Sequence, residues 1–176
     1  NEASQMILKL SELLRISLDD ADQIISIEQE VRNTRLYVDI LQLRYESKLE
    51  VQWNIPEEVQ KCAIVKVSLQ PLIENAVYHG IKPKREKGII QVYAEKDSEK
   101  LKVTIQDDGI GMDPEECRIL NEDLRNNFQF KKGHIGVRNV NQRLKLLLGD
   151  QAQMKVTSEK GKGTCVQMAL PYREVE

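Results

Sequence analysis

The sequence predicts an α+β fold, a two-layer sandwich of a mixed, mostly antiparallel sheet and helices, preceded by two amphipathic helices. Two kinds of pattern predict it. Apolar residues alternate with polar ones over several short stretches, which marks half-buried strands. Between these stretches they recur at three-four spacing, which marks helices that bury one face. The alternation begins only at Leu49; everything before it reads as helix.

Glu2 to Leu18 carries Met6, Leu10, Leu13, Leu14 and Ser17 at helical spacing, so an amphipathic helix in need of a partner is expected. Asp19-Asp20-Ala21-Asp22 ends it, and Ser26-Ile27-Glu28-Gln29 restarts a helix with a capping-box pattern. Ile27, Val31, Thr34, Val38, Leu41 and Tyr45 carry that second helix onward. The pair is either a self-contained hairpin or half of a helical dimerisation module.

Leu49, Val51, Trp53 and Ile55 form the expected first strand, closed by Pro56, and the core domain is assigned to residues 47–176. Ala63 to His79 reads as one helix burying Leu69, Leu72, Ile73, Ala76 and Val77; Pro71 either kinks it or sits in its first turn. Asn75 and His79 lie one turn apart on the flank of that face, where a residue must sit to look into a pocket. Ile89–Ala94 and Leu101–Ile105 predict a hairpin through Asp97-Ser98-Glu99-Lys100. Pro114 to Leu124 is helical in pattern, whereas Arg125 to Lys132 has no period. With Gly109 and Gly111 before it and Gly133 at its exit, the segment from Met112 to Lys132 is expected to be the most mobile part of the domain. Val137, Val140, Leu144 and Leu147 define a last helix ended by Gly149; Met154-Lys155-Val156 and Val166–Leu170 close the sheet.

Composition narrows the function. With 176 residues and 40% hydrophobic content there is enough for one real core. A formal charge of −2 with 31% charged residues is a balanced surface, which excludes a nucleic-acid footprint. No apolar stretch is long enough to cross a bilayer, and Asn1 opens no signal-peptide pattern, so a soluble, cytoplasmic piece is expected. Cys62, Cys117 and Cys165 are odd in number and widely spaced, which fits reduced structural thiols.

The chemistry centres on Asp107-Asp108-Gly109-Ile110-Gly111-Met112. Leu101, Val103 and Ile105 run into Asp107 at period two, which sets a carboxylate at the end of a half-buried strand with two glycines after it. Such a turn leaves room for a flat ring or a phosphate against the main chain. A carboxylate there is an acceptor only, so it selects an amino edge over a carbonyl edge. Asp108 reads as a solvated turn residue.

Three further stretches complete a set: Leu72-Ile73-Glu74-Asn75-Ala76-Val77-Tyr78-His79-Gly80 upstream, then Gly133-His134-Ile135-Gly136-Val137-Arg138-Asn139-Val140 and Gly161-Lys162-Gly163-Thr164. In this order they resemble the N, G1, G2 and G3 boxes of the ATP-binding domain shared by sensor histidine kinases, type II topoisomerases and mismatch-repair ATPases. Leu69-Gln70-Pro71-Leu72-Ile73-Glu74-Asn75 and Arg138-Asn139-Val140-Asn141-Gln142-Arg143-Leu144 are similar to the YesM/LytS type of histidine kinase. The resemblance covers nearly the whole chain.

It implies the histidine kinase-type ATP-binding fold over 47–176, with residues 1–46 as the C-terminal helical part of a dimerisation and phosphoacceptor region. The implied enzyme is a protein histidine kinase of a two-component system, lacking the accepting histidine, which would lie upstream of Met6 in a membrane-anchored full-length protein. ATP and Mg²⁺ are the implied cofactors. The implied partners are the upstream phosphoacceptor helix, a response regulator and a second copy of the full-length chain. By the same resemblance Asp107 accepts from the adenine amino group, with Gly109, Gly111 and Met112 around the base. Asn75 is the catalytic and Mg²⁺-binding residue, and His79 contacts phosphate or caps. Gly133, Ile135, Gly136 and Val137 open the phosphate-binding helix start. Arg138 and Arg143 supply positive charge there or belong to a solvated face, and Gly163 and Thr164 complete the site. His134 stands where glycine is frequent and Tyr78 where lysine is, so both depart from the pattern. Glu74 either orders a water or a partner or is simply exposed. The alternative within the superfamily is an ATP-driven conformational clamp, which requires a general-base glutamate where this chain has Pro71.

Overall fold

The computed structural model describes residues 7–9, 11, 23–45, 48–126 and 133–175. The first expected helix, Glu2 to Leu18, falls largely outside these residues, as do positions 127–132 before Gly133. Strand β1 (Ile24–Ser26) leads into helix α1 (Ile27–Tyr45), which starts where the capping box puts it: Ser26 Oγ accepts from Gln29 N–H at 3.2 Å. Its stripe of Ile27, Val31, Val38 and Leu41 is buried in the common core.

Strand β2 (Leu49–Asn54) and a short helix α2 (Glu57–Gln60) follow, then β3 (Ala63–Val65). β3 pairs antiparallel with β1. This two-stranded sheet corrects the reading of one helix from Ala63 to His79. Each strand is only three residues long, too short for alternation to separate it from a buried helical turn. The helix begins at Leu69 instead: α3 (Leu69–Asn75) runs on as a π-helical turn over Ala76–Ile81. Pro71 sits in the first turn of α3, where its missing N–H would have had no helical partner.

The start of α3 is held from α1. The Glu30 carboxylate accepts from the backbone N–H groups of Val67 at 2.9 Å, Ser68 at 2.7 Å and Leu69 at 2.9 Å. These are donors a helix leaves unpaired at its N-terminus, and an anion there also meets the positive end of the helix dipole. Val67 is forced into the left-handed region at φ 57°, a conformation that β-branched residues avoid.

The hairpin β4 (Gly88–Asp97) and β5 (Lys100–Asp107) lies where alternation predicts it. After helices α4 (Pro114–Asn126) and α5 (Ile135–Leu148), strands β6 (Gln153–Glu159) and β7 (Gly163–Pro171) finish the sheet. Strand order is β2-β4-β5-β7-β6; β2 runs parallel to β4 and every other pair is antiparallel. Ile90, Val92, Val103, Ile105, Val166 and Met168 of the sheet are buried with Leu72, Ile73, Leu120, Val140 and Leu144 of the helices. Burial of each such side chain contributes roughly 1.5–3 kcal/mol. Among the described residues no helix is long and apolar enough to cross a membrane, and the cysteines are unpaired.

Candidate functional site

Asp107 ends β5 on the same side as Leu101, Val103 and Ile105, so period two carries a carboxylate to the rim of the core, where it is 5% exposed. Its Oδ1 accepts from Gly109 N–H at 2.8 Å, and the N–H of Thr164, its partner across β7, also donates to it. Burial outweighs these bonds and pushes the Asp107 carboxyl up to about 6. The folded chain thus keeps an under-solvated acceptor facing a recess of about 160 Å³, lined by Asn75, His79, Asp107, Met112, His134 and Thr164 among others.

Backbone geometry builds the near wall. Ile110 N–H donates to the Gly80 carbonyl at 3.1 Å, Gly161 N–H to the Ile110 carbonyl at 2.7 Å, and Met112 N–H to Ser158 Oγ at 2.9 Å. Three of the four boxes therefore meet in one web. A side chain at Gly80 would put its Cβ 2.6 Å from Asp107 Oδ1, and Gly111, at φ 66°, would put one 2.0 Å from the Glu159 carbonyl. Gly109 lies against the Gly80 backbone, and Gly163 against the Asp107 carbonyl. The Ser158 hydroxyl donates to the Gly163 carbonyl at 2.9 Å, so its 2.9 Å contact with Thr164 Oγ1 makes the threonine the donor. Thr164 keeps its lone pairs for the recess.

The far wall comes from α3, its π turn, α4 and the residue before α5. Asn75 and His79 line the recess together as their spacing predicts. The His79 and His134 rings lie 5.5 Å apart between centroids, and His134 Nε2 meets Glu116 Oε1 of α4 at 2.8 Å. Burial, and then the neighbouring His134, push the His79 imidazole below its ordinary pKa of 6.5. Among the described residues no group of His, Cys, Asp or Glu side chains is arranged to hold a metal by itself.

Other expected residues stand back from the recess lining. Gly133 and Ile135 flank His134 at the start of α5, with Ile135 exposed; Gly136 packs against the Pro71 carbonyl and Val137 is fully buried. Arg143 turns away: its Nη1 donates to the Val67 carbonyl at 3.2 Å, close enough to act on the Glu30 charge. The expected phosphate partner is thus spent on the α3 start. Arg138 is engaged with Asp123 at 2.9 Å and with the Gly133 carbonyl. Asp108 is no free turn residue either, since it accepts from Lys84 Nζ at 2.9 Å and from Ile89 N–H at 2.8 Å. Glu74 accepts from Gln70 at 3.1 Å and meets the Tyr37 hydroxyl of α1, so it faces a partner within the chain.

Residues 64–174 match the family described as histidine kinase-, DNA gyrase B- and HSP90-like ATPase, and residues 1–49 match the family described as histidine kinase. The chain belongs to the histidine kinase-, DNA gyrase B- and HSP90-like ATPase family. Among curated relatives it is similar to sensor histidine kinase YesM of Bacillus subtilis, with 33% identity over 98% of this chain and 28% of the relative. Sensor protein LytS of Oceanobacillus iheyensis shares 28% identity over 98% of this chain and 29% of its own length. Sensor histidine kinase YpdA of Escherichia coli shares 37% over 84% of this chain and 25% of its own. The chain thus spans under a third of these relatives. Its fold is like that of the histidine kinase domain from the Erythrobacter litoralis EL346 blue-light activated histidine kinase, with TM-score 0.59 and 23% identity over 98% of this chain and 75% of that one. It is also like the catalytic domain of histidine kinase ThkA, with TM-score 0.59 and 15% identity over 86% and 97%.

Around the recess, sequence patterns do not single out Ser158, Glu116 and Gly80 as separate contributors. Gly80 was visible inside its box, but the need for glycine there arises only from Asp107 approaching across 27 positions of chain. Ser158 and Glu116 carry no local signal: one is a polar residue of an alternating strand, the other one of several glutamates on an exposed helix.

Proposed function

We propose that residues 47–176 are the catalytic, ATP-binding domain of a two-component sensor histidine kinase, and that residues 1–46 are the C-terminal helical part of its dimerisation and phosphoacceptor region. The observation that carries this reading is the recess lined together by Asp107, Asn75, His79, Thr164 and His134, the residue before α5. Asp107, held among the described residues by the backbone N–H groups of Gly109 and Thr164, accepts from the adenine amino group. Gly109, Gly111 and Met112 border the base, while the Thr164 N–H braces the carboxylate and Gly163 lies against the Asp107 main-chain carbonyl. The start of α5, from Gly133 through Ile135, Gly136 and Val137, offers helix N–H groups and a positive dipole end to the phosphates.

Asn75 supplies a side-chain oxygen suited to Mg²⁺, a hard cation that shares its remaining sites with the nucleotide phosphates and water. The bound metal neutralises charge on the transferred phosphoryl group; the chain's own part is to position. The γ-phosphoryl group leaves ADP and bonds to an imidazole nitrogen of a histidine upstream of Met6, for later relay to a response regulator. Pro71 in the first turn of α3 carries no base at the position a hydrolysing clamp needs, which favours transfer over hydrolysis. In its full-length form the protein would pair with a second copy and be anchored in the cell membrane, with this part in the cytoplasm.

Incubation with radiolabelled ATP tests the assignment. The chain alone should bind MgATP and carry no acid-labile label; mixed with a piece bearing the upstream helix it should label that piece weakly, because the covalent link no longer concentrates the two partners. Acid-labile label on His79 in the chain alone would sink the reading.

A further inference from the structure

We infer that His134 is a proton-coupled phosphate contact, joining the nucleotide's polyphosphate to Glu116 on α4 through its two ring nitrogens. The inference rests on the nucleotide reading of the recess and names one residue's task within it. His134 is 8% exposed and lines the recess. Its Nε2 faces Glu116 Oε1 at 2.8 Å, while its Nδ1 is buried with no hydrogen-bond partner among the described residues. A buried ring nitrogen left unpaired is costly unless something arrives to pair it.

The usual task of a residue at this place is ruled out. His134 immediately precedes the fourteen-residue helix α5 in the left-handed conformation, φ 51° and ψ 33°, and its side chain makes no capping bond. Among the described residues, Nδ1 is thus engaged neither by the helix start nor by any other partner. Where a glycine would let phosphate approach the backbone, this chain offers an imidazole.

The donor count fixes the protonation. Glu116 carboxylate and phosphate oxygens are both acceptors, so a ring bonded to both must donate from both nitrogens, which only the imidazolium can do. Glu116 of α4 sets a carboxylate oxygen against Nε2, while His79 of the π turn is biased toward neutrality by burial and by His134. Asp107 of β5 lines the same recess, and Arg138 of α5 bonds the adjacent Gly133 carbonyl. Phosphate binding then draws one proton onto His134, and the resulting phosphate–imidazolium–carboxylate chain ties nucleotide charge to the position of α4.

Calorimetry of the 176-residue chain with MgATP, in two buffers of unlike ionisation enthalpy at about pH 8, where the phosphates are already ionised, measures proton uptake directly. Expected are uptake of a sizeable fraction of a proton per MgATP and none with adenosine. His134→Asn keeps a residue that tolerates the left-handed backbone. It should abolish the uptake and weaken MgATP about tenfold, as loss of one charge-assisted hydrogen bond does, with adenosine affinity unchanged. Glu116→Gln, which can still accept from Nε2, should reduce the uptake without abolishing binding. Equal losses for adenosine and MgATP in His134→Asn would mean a structural role and overturn the proposal, as would full uptake persisting in that variant. If the unaltered chain binds no adenine compound at all, the nucleotide reading itself fails and takes this inference with it.

Discussion

Two buried carboxylates in this chain have opposite surroundings. Glu30 is 1% exposed and Asp107 5%. Glu30 is surrounded: three backbone N–H groups meet its oxygens and Arg143 lies within reach of its charge. Asp107 has backbone donors on one side and the open recess on the other. Burial raises the pKa of both above the ordinary carboxylate value, yet for Glu30 the chain itself supplies every partner, whereas for Asp107 one direction is left for a ligand. Burial alone therefore does not separate the two carboxylates; what separates them is that Asp107 lines the recess, on which the adenine proposal rests.

The largest effect should come from breaking the closed site. Glu30→Ala leaves Val67, Ser68 and Leu69 N–H groups without their acceptor at a helix start, each unsatisfied group costing about 1–3 kcal/mol. A loss of about 4 kcal/mol in urea unfolding is expected, with relaxation of some donors to water holding it below the full sum. A loss under about 1 kcal/mol would remove the contrast between the two carboxylates.

That contrast was half legible in the sequence. The burial of Asp107 could be read because it follows from local period two. Glu30 could not, because its partners lie 37 to 39 positions away and are backbone groups, which no side-chain pattern advertises. Arg143 shows the same limit: near the phosphate box in sequence, its Nη1 donates in space to the Val67 carbonyl. The sheet was legible wherever strands were long enough to alternate, and illegible at β1 and β3, whose three residues each fit a helix turn equally well.

Opening the second site further gives the next effect. Asp107→Asn should keep the fold, since the amide oxygen still accepts from Gly109 and Thr164, but place an N–H₂ toward the adenine amino group. ADP affinity should fall at least about a hundredfold, near 3 kcal/mol, while the unfolding midpoint stays level below about pH 4 and rises at neutral pH, where the amide avoids the cost of a buried charge. Unchanged ADP affinity would overturn the adenine assignment. The pH dependence carries a definite sign. The folded chain holds a proton on Asp107 up to about pH 6, whereas an unfolded carboxyl releases it near 3.8. The contribution of Asp107 to stability is present below that window and is lost as pH rises through it, by about 3 kcal/mol at most. Binding goes the other way, because the ionised form is the better acceptor: ADP affinity should decline as pH falls below about 6. In Asp107→Asn both slopes should flatten, which unfolding at two pH values and ADP titration would read.

A smaller change separates metal from base within the recess. Asn75→Ala should weaken MgATP about tenfold and leave metal-free nucleotide nearly unaffected, since its proposed bond runs through the ion. Equal losses with and without Mg²⁺ would move Asn75 from metal ligand to scaffold.

The smallest expected effect sharpens the comparison from the closed side. Val67 holds φ 57°, and the left-handed region costs an L-residue roughly 1–2 kcal/mol. Its backbone is fixed at both ends by charged side chains, the N–H by Glu30 and the carbonyl by Arg143, so the strain is maintained by the same carboxylate that caps α3. Val67→Gly removes the steric cost but adds backbone freedom to the unfolded chain, about 0.5–1 kcal/mol in the opposite direction. A net gain of about 0.5 kcal/mol is expected in the otherwise unaltered chain. With Glu30 already replaced by alanine, nothing holds Val67 N–H in place and the backbone can leave the left-handed region, so the glycine should give no gain. The double-mutant cycle should therefore show coupling of several tenths of a kcal/mol between positions 30 and 67. Strict additivity would mean that Val67 keeps its conformation for reasons unconnected with Glu30, and the carboxylate would then be a helix cap and nothing more.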